Sequence, residues 1–146
     1  MIAMELMGKC KKQFNTDDLN FVQNLITTKS WWDSVDFLAS TILGTILLPH
    51  PEFAQNVARE MMSSNNVWLK RSALIFQLKY KSETNKALLY ELIAETQGST
   101  EFFINKAAGW ALRQYSKFNP SSVALFIQDN KDWLSKLTVK EGSKYL

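Results

Sequence analysis

Apolar residues recur along this chain at helical spacing, and nowhere do they alternate over a sustained run flanked by hairpin turns. Leu19, Val22, Leu25 and Ile26 share one face of a segment opened by Asn15-Thr16-Asp17-Asp18. Ser30 is placed to cap a second helix, Trp31 to Leu48, whose apolar stripe is Trp31, Val35, Leu38 and Ile42. Pro49-His50-Pro51 breaks the pattern and sets Pro51 in the first turn of a helix running to about Met62. Ser63 to Asn66 caps the next, Val67 to Tyr80, and Ser82-Glu83-Thr84 opens another to about Thr96. Gly98-Ser99-Thr100 separates that from Glu101 to Lys117; Asn119-Pro120 begins a helix ending near Asn130, and a last one covers Lys136 to Leu146. Met1 to Phe14 reads as a helix already under way, with Ile2, Leu6 and Met7 apolar and no cap before it.

These helices pair off from Thr16, Pro51, Thr84 and Asn119, a period of roughly 34 residues. A helical pair cannot bury its apolar face alone, so such a period predicts an all-α solenoid of antiparallel pairs, of the HEAT-like kind, forming one domain over 1–146. The Trp, Gly, Tyr and Pro positions of tetratricopeptide repeats are not there. In this architecture the second helices line the concave, binding surface.

Composition narrows the function. The 146 residues are 46% hydrophobic and 21% charged, enough for a core and too apolar for disorder. A net charge of +3 and a pI near 9.0 permit a nucleic-acid partner without requiring one. One cysteine, Cys10, excludes an internal disulfide, and with His50 as the one histidine a metal centre has almost no conventional ligands. Neither a cofactor nor a metal is expected. No signal-peptide pattern and no membrane-length apolar run is seen, so a cytoplasmic protein is expected. An uncovered first helix would favour self-association.

The second helices carry the unusual residues. Trp32 and Asp36, four apart, share a face that continues into Ala39 and Ser40 and does not read as core. In the next, Leu69, Ala73 and Phe76 suit the interior while Lys70 and Arg71 lie outside that stripe. Lys106, Trp110, Arg113 and Lys117 then form a basic stripe with an indole set into it, and Lys140 and Lys144 repeat the four-residue spacing. Each residue has an ordinary alternative: a core tryptophan, a solvated or capping Asp36, a solvated basic face, an Arg71 paired with a glutamate such as Glu60. Together they suggest a cationic concavity holding two indoles and a carboxylate.

Such a set suits a developing cation. In N-glycosidic cleavage the deoxyribose gains oxocarbenium character, which a carboxylate stabilises while orienting or deprotonating the attacking water. Indole faces add cation–π attraction and exclude solvent. Glycosidases that must protonate a leaving oxygen use two carboxylates; a purine alkylated at N3 or N7 is already cationic, and one suffices.

The segment Thr28-Lys29-Ser30-Trp31-Trp32-Asp33-Ser34-Val35-Asp36 closely resembles a motif of the DNA alkylation repair enzymes, the HEAT-like-repeat alkylpurine DNA glycosylases of the AlkD type. Trp68-Leu69-Lys70-Arg71-Ser72-Ala73 with Phe76 to Lys81, Phe102 to Arg113, and the closing Glu141-Gly142-Ser143-Lys144 agree with it, and the similarity runs from about Ala3 to the end. The resemblance implies that Asp36 is the catalytic carboxylate, that Trp32 and Trp110 pack on the lesion's deoxyribose, and that Arg71 contacts the DNA backbone near it. It implies excision of cationic lesions such as 3-methyladenine and 7-methylguanine from double-stranded DNA, without flipping the base into a pocket. It also implies that residues 1–146 match the C-terminal two-thirds of a family-length chain, whose further helices precede the point matching Met1. Lys70, Lys106, Arg113 and Lys117 are the expected DNA-binding cations. Two other readings remain at this point, a DNA-binding repeat module without turnover and a protein-interaction solenoid with an apolar or acidic groove.

Overall fold

The computed structural model describes Gly8, residues 13–28 and residues 32–146, the side chains of Trp32 and Asp33 excepted. The expected helix at Met1–Phe14, the cap at Ser30 and the packing of Trp31 therefore lie outside, or almost wholly outside, the described residues. Among them the protein is helical throughout: α1 (Leu19–Thr28), α2 (Trp32–Phe37) running through a π-helical stretch (Leu38–Leu43) into α3 (Gly44–Leu47), α4 (Pro51–Ser63), α5 (Val67–Ile75), α6 (Lys86–Ala94), α7 (Phe102–Ser116), α8 (Pro120–Asp129) and α9 (Lys136–Gly142). It is an α-solenoid. α1 packs on the π stretch between α2 and α3, α4 on α5, and α8 on α7 and α9; α6 lies against α4 and α5, and α2, α5, α7 and α9 pack in that order.

Local chemistry explains the starts. Asn15 and Asp18 form a reciprocal capping box at a 3-10 turn (Thr16–Asp18) that leads into α1. Asn66 accepts from the N–H groups of Trp68 and Leu69, Asn85 from Leu88, Asn119 from Ser122 and Ser135 from Thr138, while Pro51 and Pro120 need no donor partner in a first turn.

The core runs continuously from Val22 and Ile26 through Val35, Ile42, Met61, Phe76, Leu92 and Leu112 to Val123 and Ile127. Side-chain pairs one repeat apart fix the stacking: Arg59 Nε donates to Glu91 Oε2 at 2.7 Å, and the Tyr90 and Ser122 hydroxyls are 2.8 Å apart while Tyr90 stacks on Phe126.

Several expectations are corrected. The helix from Val67 stops at Ile75, not Tyr80, because Gln77 and Tyr80 are used across repeats: Gln77 Oε1 accepts from the Asn85 N–H, and the Tyr80 hydroxyl donates to the Gly44 carbonyl at 2.7 Å. Helix α6 accordingly begins at Lys86; Lys81 to Glu83 form a 3-10 turn entered with Lys81 at φ 56°. The last helix ends at Gly142. The second helix is interrupted by its π stretch, where the Ser40 hydroxyl donates to the Asp36 carbonyl at 2.7 Å and Thr45 to that of Thr41 at 2.6 Å, bonds that loosen a helix.

Candidate functional site

Asp36, the last polar residue before the π stretch, is 8% exposed and meets Arg71, 4% exposed, on α5. Arg71 Nε donates to Asp36 Oδ1 at 2.7 Å and Nη2 to Oδ2 at 3.0 Å, a two-pronged fork. Its Nη1 donates to the Phe103 carbonyl at 2.6 Å. The guanidinium carbon lies 5.8 Å from the Phe103 ring centre and 5.9 Å from that of Trp110, so two aromatic faces flank the cation. Arg71 is thus interior although it lies off the apolar stripe Leu69, Ala73 and Phe76, and its partner is Asp36 while Glu60 is exposed. Ala39 is likewise fully buried, so the face below Asp36 is core after all.

Helix α7, together with α9 and the turn after it, supplies the rest. Lys106 Nζ donates to Glu141 Oε1 at 2.8 Å, and Arg113 Nη1 and Lys144 Nζ stand 3.4 Å and 3.6 Å from Glu141 Oε2. Lys106's hydrogen bond and the charges of Lys144 and Arg113 hold the Glu141 carboxyl below its ordinary range, against the opposing effect of desolvation. Gly109 makes this possible: a Cβ there would stand 2.6 Å from Glu141 Cβ, so only a glycine lets α9 approach α7 so closely.

Asp36, Arg71, Lys106, Trp110, Arg113, Glu141 and Lys144 together line a cleft of about 230 Å³. Its formal charge is 4 − 2 = +2. Four of these residues occupy equivalent places in successive repeats: Asp36 and Arg71 are 35 apart, as are Lys106 and Glu141, and Arg71 to Lys106 is the same interval. The solenoid thus presents one rung per repeat, carboxylate, guanidinium, ammonium, carboxylate, joined as two ion pairs.

Of the residues singled out in the sequence, Asp36, Arg71, Lys106, Trp110, Arg113 and Lys144 converge here, and Trp110 is half-buried on the cleft wall. Trp32 opens α2, and its side chain lies outside the described residues. The structure does not bring Lys70 or Lys117 to the cleft. Lys70 lines a separate polar groove with Glu95, Ser99 and Glu101, and Lys117 is exposed with its ammonium 5.2 Å from the Tyr145 ring. Lys140 is exposed and also outside the cleft lining. Glu141 was missed as a site residue. Its interval of 35 from Lys106, matching that of Asp36 and Arg71, is the signal that finds it.

Among the described residues no group of three or more His, Cys, Asp or Glu side chains is placed to hold a metal ion, and no helix is long and apolar enough to cross a membrane.

Fold and site together define an α-solenoid in which the second helices gather cations and an indole around an ion-paired carboxylate. A sequence model of the DNA alkylation repair enzymes matches residues 1–146, and the chain belongs to that family. Among solved structures it is similar to a predicted DNA alkylation repair enzyme from Enterococcus faecalis, at 35% identity and a TM-score of 0.89, over 99% of this chain and 67% of that one. A search of curated proteins gives no match. Membership supports a role in the repair of alkylated DNA.

Proposed function

We propose that this protein is a monofunctional alkylpurine DNA glycosylase built on HEAT-like repeats. It hydrolyses the N-glycosidic bond of cationic lesions of the 3-methyladenine and 7-methylguanine class in double-stranded DNA. The observation that carries the reading is the Asp36 carboxylate, held by the Arg71 fork on the wall of a cleft that also contains Trp110 and an excess of cations.

The chemistry follows from that placement. A fixed carboxylate needs no reorganisation as positive charge develops on the deoxyribose, and preorganisation of this kind dominates electrostatic catalysis. Arg71 occupies one acceptor site on each Asp36 oxygen and leaves others for the attacking water. Trp110, with Trp32 as the second indole, packs on the sugar and excludes solvent. The base leaves already charged, so no general acid is required. Lys106, Arg113 and Lys144 neutralise flanking phosphates.

Release of 7-methylguanine from methylated duplex DNA tests this. Asp36→Asn is expected to slow release by about 10²–10³-fold, the scale of losing one preorganised electrostatic group, while duplex binding persists. The two-pronged engagement of both Asp36 oxygens by Arg71 favours one competing reading, a DNA-binding module without turnover, and salt-dependent binding with no base release would select it. The cleft's charge of +2 speaks against an acidic or apolar protein-docking groove.

A further inference from the structure

The geometry points to Glu141 as a positioning residue of the DNA site: its buried carboxylate gathers Lys106, Arg113 and Lys144 from α7 and the end of α9 into one preformed phosphate-binding set. This rests on the proposed DNA reading and deepens it.

Exposure separates the acid from its partners. The Glu141 side chain is 7% exposed, whereas those of Lys106, Arg113 and Lys144 are 39%, 24% and 50% exposed. An incoming anion therefore meets the cations and not the carboxylate beneath them. One cation is enough to neutralise one buried carboxylate; three leave a surplus of 3 − 1 = +2 at this end of the cleft. Each also keeps donors free of Glu141, because a lysine ammonium has three and an arginine five, and each approaches it here through one nitrogen.

Three long cationic side chains left to themselves would repel one another and explore many rotamers. Ordering each on binding subtracts from affinity. The carboxylate pays that cost in the free protein. The backbone is arranged to place it: Gly109 lies between Lys106 and Arg113 on α7, three residues from one and four from the other, where Glu141 Cβ comes close. Gly142 packs its own Cα face on Leu112 Cβ, fixing the register of α9.

The test is duplex binding by the full chain. The probe is an oligonucleotide with one tetrahydrofuran abasic analogue, titrated at several salt concentrations, against undamaged duplex. Glu141→Gln raises the net charge by one, so a simple field effect predicts tighter binding. Positioning predicts the reverse: affinity for the abasic duplex falls about tenfold, and the salt slope becomes shallower by about 0.9 for each phosphate no longer neutralised. Glu141→Asp, which keeps the charge and withdraws it by one methylene, is expected to recover part of the loss. In Glu141→Gln/Lys106→Gln the loss should be close to that of the worse single variant, since one residue acts through the other. Unchanged or tighter binding by Glu141→Gln with an undiminished slope overturns the proposal. If Glu141→Gln does not fold, as judged by circular dichroism, Glu141→Asp decides: binding equal to wild type overturns it, weakened binding with a shallower slope supports it. Failure of the wild type itself to bind DNA in a salt-dependent way would instead remove the DNA reading.

Discussion

Asp36 and Arg71 stabilise each other's charge in an interior where neither is tolerated alone. Arg71→Ala strips both oxygens of Asp36 and the Phe103 carbonyl of their donors, and breaking a buried pair in this manner costs about 3–5 kcal/mol. Thermal or urea unfolding of Arg71→Ala should show that loss; a change within about 0.5 kcal/mol would mean the fork is not formed in solution. The second carboxylate gives a pH signature. Lys106 foremost, then Lys144 and Arg113, hold Glu141 below its ordinary value of 4.5, so the unfolded chain binds this proton more tightly than the folded one. The stabilisation is complete above that value and is lost as pH falls below it toward the folded pKa. The melting-temperature gap between wild type and Glu141→Gln should therefore close on acidification below that value. At this scale the sequence disclosed the residue types but not their partners. Arg71 reads as a surface cation because it falls outside the apolar stripe of its own helix; the carboxylate that buries it is 35 residues away.

Helix starts were readable because their causes are local: Asn66, Asn119 and Ser135 each accept from an N–H group within three residues. Asn66→Ala should accordingly destabilise the fold by about 1 kcal/mol, measurable by denaturant titration. Where helices end, or change pitch, depended on neighbours. Val67 starts a stretch whose apolar periodicity continues past Ile75, yet Tyr80 is committed to the Gly44 carbonyl and Gln77 to the Asn85 N–H. No local pattern announces either bond. The π stretch after Asp36 is similar: Gly44 faces the Phe76 carbonyl so closely that a Cβ would come within 2.6 Å. Gly109 is the element-scale key to the site. Gly109→Ala must push α9 off α7, with a cost of about 1–3 kcal/mol for overpacking and a displaced Glu141. Unfolding and duplex binding should both report it, and wild-type values in both would contradict the close approach described here.

Across the whole molecule the period of roughly 34 residues proved to be the most informative feature. It predicted stacked pairs from the chain alone, and the ion pairs Asp36–Arg71, Arg59–Glu91 and Lys106–Glu141 all join positions 32 or 35 residues apart. Repetition also builds the site: one rung from each second helix lines a single cleft, so the chemistry is distributed over four repeats while its geometry is set by their stacking. Lys70 and Lys117 share the charge of that set but not its place, which periodicity within a single helix had no means of revealing.

Membership in the DNA alkylation repair enzymes gives the field of action, and Asp36 is the residue on which the proposed chemistry turns. Single-turnover release of 7-methylguanine from a methylated duplex, with enzyme in excess so that binding is saturated, isolates the chemical step. Wild type is expected to release the base measurably, and Asp36→Asn to be slower by about 10²–10³-fold at undiminished duplex binding. Equal release by the two proteins would contradict the role assigned to Asp36.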